Sequence, residues 1–302
     1  MESILAKDPP MGWNSWDSYG TAVTEEEVLS NAKFMKDNLF QFGWNIIVVD
    51  IDWYDPTARS GGYNPDAPLL LDDYGRQIPD PGRFPSAANG KGFGPLAEAI
   101  HNMGLKFGVH IMRGIPRLAV ERNLPVFGTN YHARDIADFK HVCGWNPDNY
   151  GLNQSHEGAY AWYEAQVDQL VSWGVDFIKV DDMQAPFYFQ EIEAYNKAVE
   201  VIRRKYNRDV VLSLSPGGSL SLMHLEFLRQ CAQMWRISDD LWDRWGDVYA
   251  QFSRLALWAP YQVEGHWADA DMLPLGHIGL RAEQGEDPQC QLTSSEQKTL
   301  LT

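Results

Sequence analysis

Short runs of apolar, often β-branched residues alternate along this chain with longer stretches whose apolar positions recur every three to four residues. The first kind fits strands and the second amphipathic helices. A short strand is predicted over 11–16. A helix follows from Thr24 through Phe42, with Thr24 and Glu27 in capping-box register. Residues 44–51 read WNIIVVDI, the continuous apolar run expected of a strand buried on both faces. The alternation then repeats. Helices are predicted at 93–103, 158–173, 189–206, 221–230 and 244–258, and strands at 105–111, 175–180, 210–214, 234–237 and 266–272.

Strand and helix alternating this often predict a parallel α/β fold. Without Gly-rich phosphate turns, a (β/α)8 TIM barrel is favoured over a doubly wound sheet. Seven strands are counted, not eight. Residues 294–302 read as the start of a helix, with Ser294 and Gln297 as its capping-box pair. Seven strands leave open edges. Residues 1–302 are therefore expected to form one incomplete barrel, cut before its eighth strand. Two long connections, 54–92 and 112–157, follow strands and so belong to the C-terminal face, where barrels carry their sites.

Composition narrows the partners. A formal net charge of −16 argues against nucleic acid and anionic membranes and suits a neutral ligand. No apolar run reaches the about 18 residues of a membrane span. The opening MESILAKDPP lacks the basic start and apolar core of a signal peptide. That leaves an intracellular protein, or one whose leader has been removed. Cys143, Cys231 and Cys290 show neither metal spacing nor a disulfide framework. Twelve Trp and thirteen Tyr supply more rings than a core requires, and sugars stack on such rings.

The most informative residues are the acids at strand ends: Asp50 and Asp52, Asp181 and Asp182, Asp239 and Asp240, Asp269 and Asp271. Strand ends of a barrel converge on one mouth. Carboxyls gathered there push one another's pKa values apart, so one stays ionised while another holds a proton. Glycoside hydrolysis needs such a pair. Two other readings stay open at this point. Asp182 and Asp239 could simply cap helices, and an Asp cluster could hold Mg²⁺ or Ca²⁺ in a metal-dependent hydrolase or aldolase.

Four motifs in order resemble those of glycoside hydrolase family 27, the melibiase-type α-galactosidases: Met11-Gly12-Trp13-Asn14-Ser15-Trp16, Lys179-Val180-Asp181, Trp235-Arg236-Ile237-Ser238-Asp239-Asp240 and Asp269-Ala270-Asp271-Met272-Leu273. The resemblance implies a (β/α)8 barrel followed by a small β domain, which would lie beyond this chain. It implies a retaining exo-glycosidase for terminal α-D-galactosyl residues. Asp181 would be the nucleophile and Asp240 the acid/base. Trp13, Asp50, Asp52, His110, Lys179, Ser215, Arg236, Asp271 and Met272 would bind the sugar. No cofactor or metal is implied. The partner would be a small-molecule or oligosaccharide substrate.

Departures from the family pattern bear on the substrate. Ile51 stands where the family has the second of two adjacent acids, which leaves the 6-hydroxyl unread unless Asp52 substitutes. His110 stands for a Tyr, and Met183 for a Cys that pairs in secreted members. Ser215-Pro216-Gly217-Gly218-Ser219 replaces a bulkier segment beside the 2-position, leaving room for an N-acetyl group. β-L-Arabinopyranose, the galactose ring without its 6-hydroxymethyl group, and α-N-acetylgalactosamine are thus alternative substrates. A catalytically inactive sugar-binding barrel is the alternative of another class.

Overall fold

The computed structural model describes residues 4–59, 62–279 and 289–302. Its strands are β1 (Gly12–Asn14), β2 (Ile46–Val49), β3 (Lys106–Met112), β4 (Ile115–Pro116), β5 (Ala137–Asp138), β6 (Asn149–Leu152), β7 (Phe177–Asp181), β8 (Val211–Leu214), β9 (Met234–Arg236) and β10 (Trp267–Asp269). The helices are α1 (Trp16–Tyr19), α2 (Glu25–Asn38), α3 (Gly94–Asn102), α4 (Arg117–Arg122), α5 (Ala133–Ile136), α6 (Glu157–Ser172), α7 (Phe189–Tyr206), α8 (Leu225–Cys231), α9 (Trp245–Trp258) and α10 (Ser294–Leu301).

Seven strands form one parallel sheet in the order β1-β2-β3-β7-β8-β9-β10, with a helix after nearly every strand. This is the arrangement of an incomplete (β/α)8 barrel. The outward residues of β2 and β3, Ile47, Val49, Phe107, Val109 and Ile111, join one core with Val28, Ala32 and Met35 of α2 and Leu96, Ala97 and Ile100 of α3. Each such side chain, fully buried, contributes about 1.5–3 kcal/mol.

The inner face is apolar at one end and polar at the other. Ile46, Val48, Phe177 and Val211 pack together beneath Leu5, Ala6 and Met234. Two residues further along the same strands, on the same face, come Asp50, Lys179 and Ser213. The sheet curls, bringing the segments beyond its two edge strands together. Ser18 Oγ donates to the His277 carbonyl at 3.0 Å, and the Gly279 N–H donates to the Asp17 carbonyl at 2.7 Å.

The structure redraws two predicted features. The 112–157 connection contains a second, antiparallel sheet, β4-β6-β5, flanked by α4 and α5. Its strands have two to four residues, too short for a hydrophobic period to show. The last helix is capped by Thr293 with Glu296, one residue earlier than the Ser294–Gln297 register. The Glu296 carboxylate takes a charge-assisted bond from the Thr293 N–H at 2.7 Å, which a glutamine amide cannot match. Among the described residues, no helix is long and apolar enough to cross a membrane.

Candidate active site

The C-terminal strand ends surround a cavity of about 560 Å³. At its floor Lys179 Nζ donates to Asp50 Oδ2 at 2.9 Å, and Asn14 Nδ2 donates to the same oxygen at 2.7 Å. The Asp50 N–H in turn donates to Ser15 Oγ. Burial alone would raise the Asp50 carboxyl. The charge and hydrogen bond of Lys179 outweigh it and hold Asp50 well below the usual carboxylate range. Lys179 is held protonated by Asp50 and Asp181 against its own burial.

Both carboxylate oxygens of Asp181 are held. The Asp182 N–H donates to Oδ1 at 2.8 Å, and His110 Nε2 lies 3.2 Å from Oδ2, so the tautomer protonated at Nε2 donates there. Burial pushes this carboxyl up. The His110 bond and the Lys179 charge push it further down, leaving it below its ordinary value. Asp181 is thus an ionised carboxylate in a fixed orientation.

Asp240 differs in its exposure. Trp16 Nε1 donates to its Oδ2 at 3.0 Å, and Arg236 Nη2 lies 3.3 Å from its Oδ1. Its side chain is 43% exposed, whereas Asp271, the other partner of Arg236 at 2.8 Å, is 1% exposed. Asp240 can therefore meet a group in the cavity, while Asp271 holds the guanidinium from behind. Asp271 also accepts the Leu241 N–H at 2.7 Å, and its φ of 86° aims it inward. Burial pushes its carboxyl up to about 7, against the pull of Arg236 and with help from Asp240 and Asp269.

Asp50, His110, Lys179, Asp181, Arg236 and Asp240, all expected in the site, line the cavity together. Others do not. Trp13 lies on the outer face of β1, edge-on to Tyr19 and against the main core. The wall is Trp16, the first residue of α1, which sequence reasoning passed over. Asp52 turns away at φ 63° and shares a buried hydrogen bond with Asp148, which also accepts from the Tyr54 hydroxyl at 2.9 Å. Burial, then the Asp148 charge, pushes Asp52 well above its ordinary value, which favours sharing a proton with Asp148, and it does not line the mouth as a second acid. Ile51 takes the place on the cavity wall.

Ser215 is fully buried beneath the mouth, and Pro216 lines it instead. A Cβ on Gly217 would come within 2.1 Å of the Arg236 carbonyl, and one on Gly218 within 2.1 Å of the Asp239 carboxylate. These glycines let the β8 and β9 turns touch. Met272 packs behind the wall with Trp16, Ile51, Met112, Cys143 and Trp242. Neither Asp182 nor Asp239 caps a helix. Asp182 pairs with Arg113, and Asp239 accepts from the Gly218 N–H. Tyr63, Trp145 and Trp242 also line the cavity. They come from loops, where no periodicity marks them.

A strand-ordered parallel barrel with acids, a lysine and an arginine converging on a ring-walled mouth is the architecture of a sugar-processing TIM-barrel protein. The Alpha galactosidase A family model, a melibiase model, matches residues 148–294. A family 27 β-L-arabinopyranosidase from Geobacillus stearothermophilus, solved with arabinose, is 50% identical, with 98% of this chain and 69% of that one covered and a TM-score of 0.95. A putative α-N-acetylgalactosaminidase from Bacillus halodurans is 46% identical, with 99% and 70% covered and a TM-score of 0.84. The α-N-acetylgalactosaminidase of Gallus gallus is 28% identical over 94% of this chain. This chain belongs to glycoside hydrolase family 27. It spans 62% of the length of the Gallus gallus relative.

Proposed function

We propose that this protein is a retaining exo-glycosidase that removes terminal β-L-arabinopyranosyl residues. The observation that carries the sugar choice is Ile51 on the cavity wall, with Asp52 turned to Asp148. An apolar side chain beside Asp50 leaves no acceptor for a 6-hydroxyl, so a ring lacking the 6-hydroxymethyl group suits it. Similarity to the Geobacillus stearothermophilus arabinopyranosidase supports the same choice. α-D-Galactosides share the ring and the anomeric geometry and are the second reading; Asp50 would read the axial 4-hydroxyl that both sugars carry.

In the proposed reaction Asp181 attacks the anomeric carbon. The bond to the leaving oxygen breaks, and its electron pair takes the proton of Asp240. A water then attacks the same carbon, returns a proton to Asp240 and frees Asp181. Lys179 and His110 keep Asp181 ionised for the first step. Asp240, exposed at the mouth, is where a leaving group would lie.

The test is release of 4-nitrophenol from β-L-arabinopyranoside, α-D-galactopyranoside and α-N-acetylgalactosaminide, with Asp181→Asn beside the wild type. Preference for the arabinoside, lost in the variant, with first-formed product of retained anomeric configuration by NMR, is expected. A folded protein that binds arabinose but hydrolyses none of the three would replace the enzyme with a sugar-binding barrel.

A further inference from the structure

Just outside the mouth lies a buried cluster that the reaction above does not use. Arg113 follows β3 and is 3% exposed. Its Nη2 donates to Asp182 Oδ2 at 2.6 Å, and its Nε donates to that oxygen and to the Asp182 carbonyl, each at 3.0 Å. Its N–H donates to the Asp181 carbonyl at 3.0 Å. Nη1 lies 3.3 Å from Glu191 Oε1 on α7, and Nη2 also donates to the His141 carbonyl at 2.9 Å. The guanidinium stacks on the Tyr188 ring at 3.9 Å. The opposite oxygen of Glu191 is taken by the Tyr163 hydroxyl and by Gln154.

Asp182 is therefore gripped at both its carbonyl and its carboxylate. It adopts φ 60°, a left-handed conformation that Asp reaches more readily than most residues but that still needs holding. That conformation turns its N–H onto Asp181 Oδ1. From these contacts we infer that Arg113 is a positioning residue for the nucleophile: by clamping Asp182 it aims the backbone N–H that orients the Asp181 carboxylate, and it ties that carboxylate to the 113–157 segment and to α7. The inference rests on Asp181 being the nucleophile.

Two consequences separate this role from mere support of the fold. An N–H donated to a carboxylate favours its charged form, so loosening the clamp raises the pH at which Asp181 ionises. Misplacing an attacking group by about 1 Å costs on the order of 100-fold in rate without weakening ground-state binding. The other groups facing Asp181 stay in place: His110 on β3, Lys179 on its own strand, Arg236 on β9, and Asp240, Tyr63 and Cys143 from the loops.

The experiment compares the whole chain with Arg113→Met, Arg113→Lys and Asp182→Asn, using 4-nitrophenyl β-L-arabinopyranoside across pH and checking each fold by circular dichroism. Arg113→Met is expected to lower kcat by about 100-fold with KM nearly unchanged, and to move the acid limb of kcat/KM upward by about one unit. Arg113→Lys restores part of both. Asp182→Asn keeps the left-handed conformation and an acceptor, so it loses about tenfold. A folded Arg113→Met with kcat within about threefold of wild type and an unmoved acid limb overturns the inference. Where Arg113→Met does not fold, a folded Arg113→Lys with kcat within about threefold of wild type and an unmoved acid limb does so. Asp181→Gly with azide runs alongside. Rescue, with formation of a glycosyl azide, supports Asp181 as the nucleophile and leaves the Arg113 variants to decide the clamp. Absence of rescue in a folded variant overturns the nucleophile assignment itself, and the inference with it.

Discussion

Lys179 Nζ meets Asp50 Oδ2 at 2.9 Å across the mouth, although β3 lies between their strands. The curl of the sheet makes this contact, and it determines the charge of the site floor. Both side chains are largely withdrawn from water, so each depends on the other to stay ionised.

Asp50→Asn leaves Lys179 buried without its main counter-charge. Removing one partner of a buried pair costs about 3–5 kcal/mol, which urea unfolding at pH 7 would read. The pH dependence follows from the depressed carboxyl. The folded state holds Asp50 ionised below the pH at which the unfolded chain protonates it. Its contribution is therefore present above the unfolded value of about 3.9 and is lost as pH falls through the lower folded value. The stability gap between wild type and variant should narrow as pH is taken below about 4.

Ile51→Asp places an acceptor beside Asp50 on the cavity wall. The ratio of kcat/KM for α-D-galactoside over β-L-arabinopyranoside is expected to rise by about 10–100-fold. An unchanged ratio in an active variant would remove Ile51 as the residue that chooses between the two sugars.

Trp16→Phe keeps the ring wall but deletes the N–H that meets Asp240 Oδ2. Loss of a donor to a charged group costs about 1.5–3 kcal/mol. If Asp240 is the acid, the penalty grows with the need for protonation. Turnover should fall about tenfold more for a poor leaving group such as methoxide than for 2,4-dinitrophenolate. Equal losses on both would separate Trp16 from the acid.

Trp13→Leu offers the contrast. Its ring packs on the outer core against Tyr19, not in the mouth. Thermal stability should drop by about 1–3 kcal/mol, while kcat/KM on the preferred glycoside stays within about twofold. A selective loss of sugar binding, with the melting curve unchanged, would return Trp13 to the site.

Much of the architecture was legible in the chain. The apolar run 44–51, the capping box at Thr24 and the repeated helix-strand alternation record local preferences, and β2, α2 and the order of the parallel sheet follow from them. Acids at strand ends likewise pointed to one mouth, because a barrel leaves strand ends nowhere else to converge. What a side chain does there depended on directions that local pattern does not carry. Trp13 and Trp16 share one motif, yet Trp13 faces outward from β1, while the turn into α1 carries Trp16 over to Asp240. Asp50 and Asp52 are two residues apart, but the left-handed turn at Asp52 hands it to Asp148. Arg113 carries no motif at all. Its grip on Asp182 exists only because β3 and β7 are hydrogen-bonded neighbours, with Met112 in register with Asp181. The sequence by itself determined the elements and their order, through periodicity and capping. Tertiary structure decided which carboxylates are charged and which rings face the cavity, because burial, partner charge and side-chain direction arise only when distant strands are brought within a few ångströms.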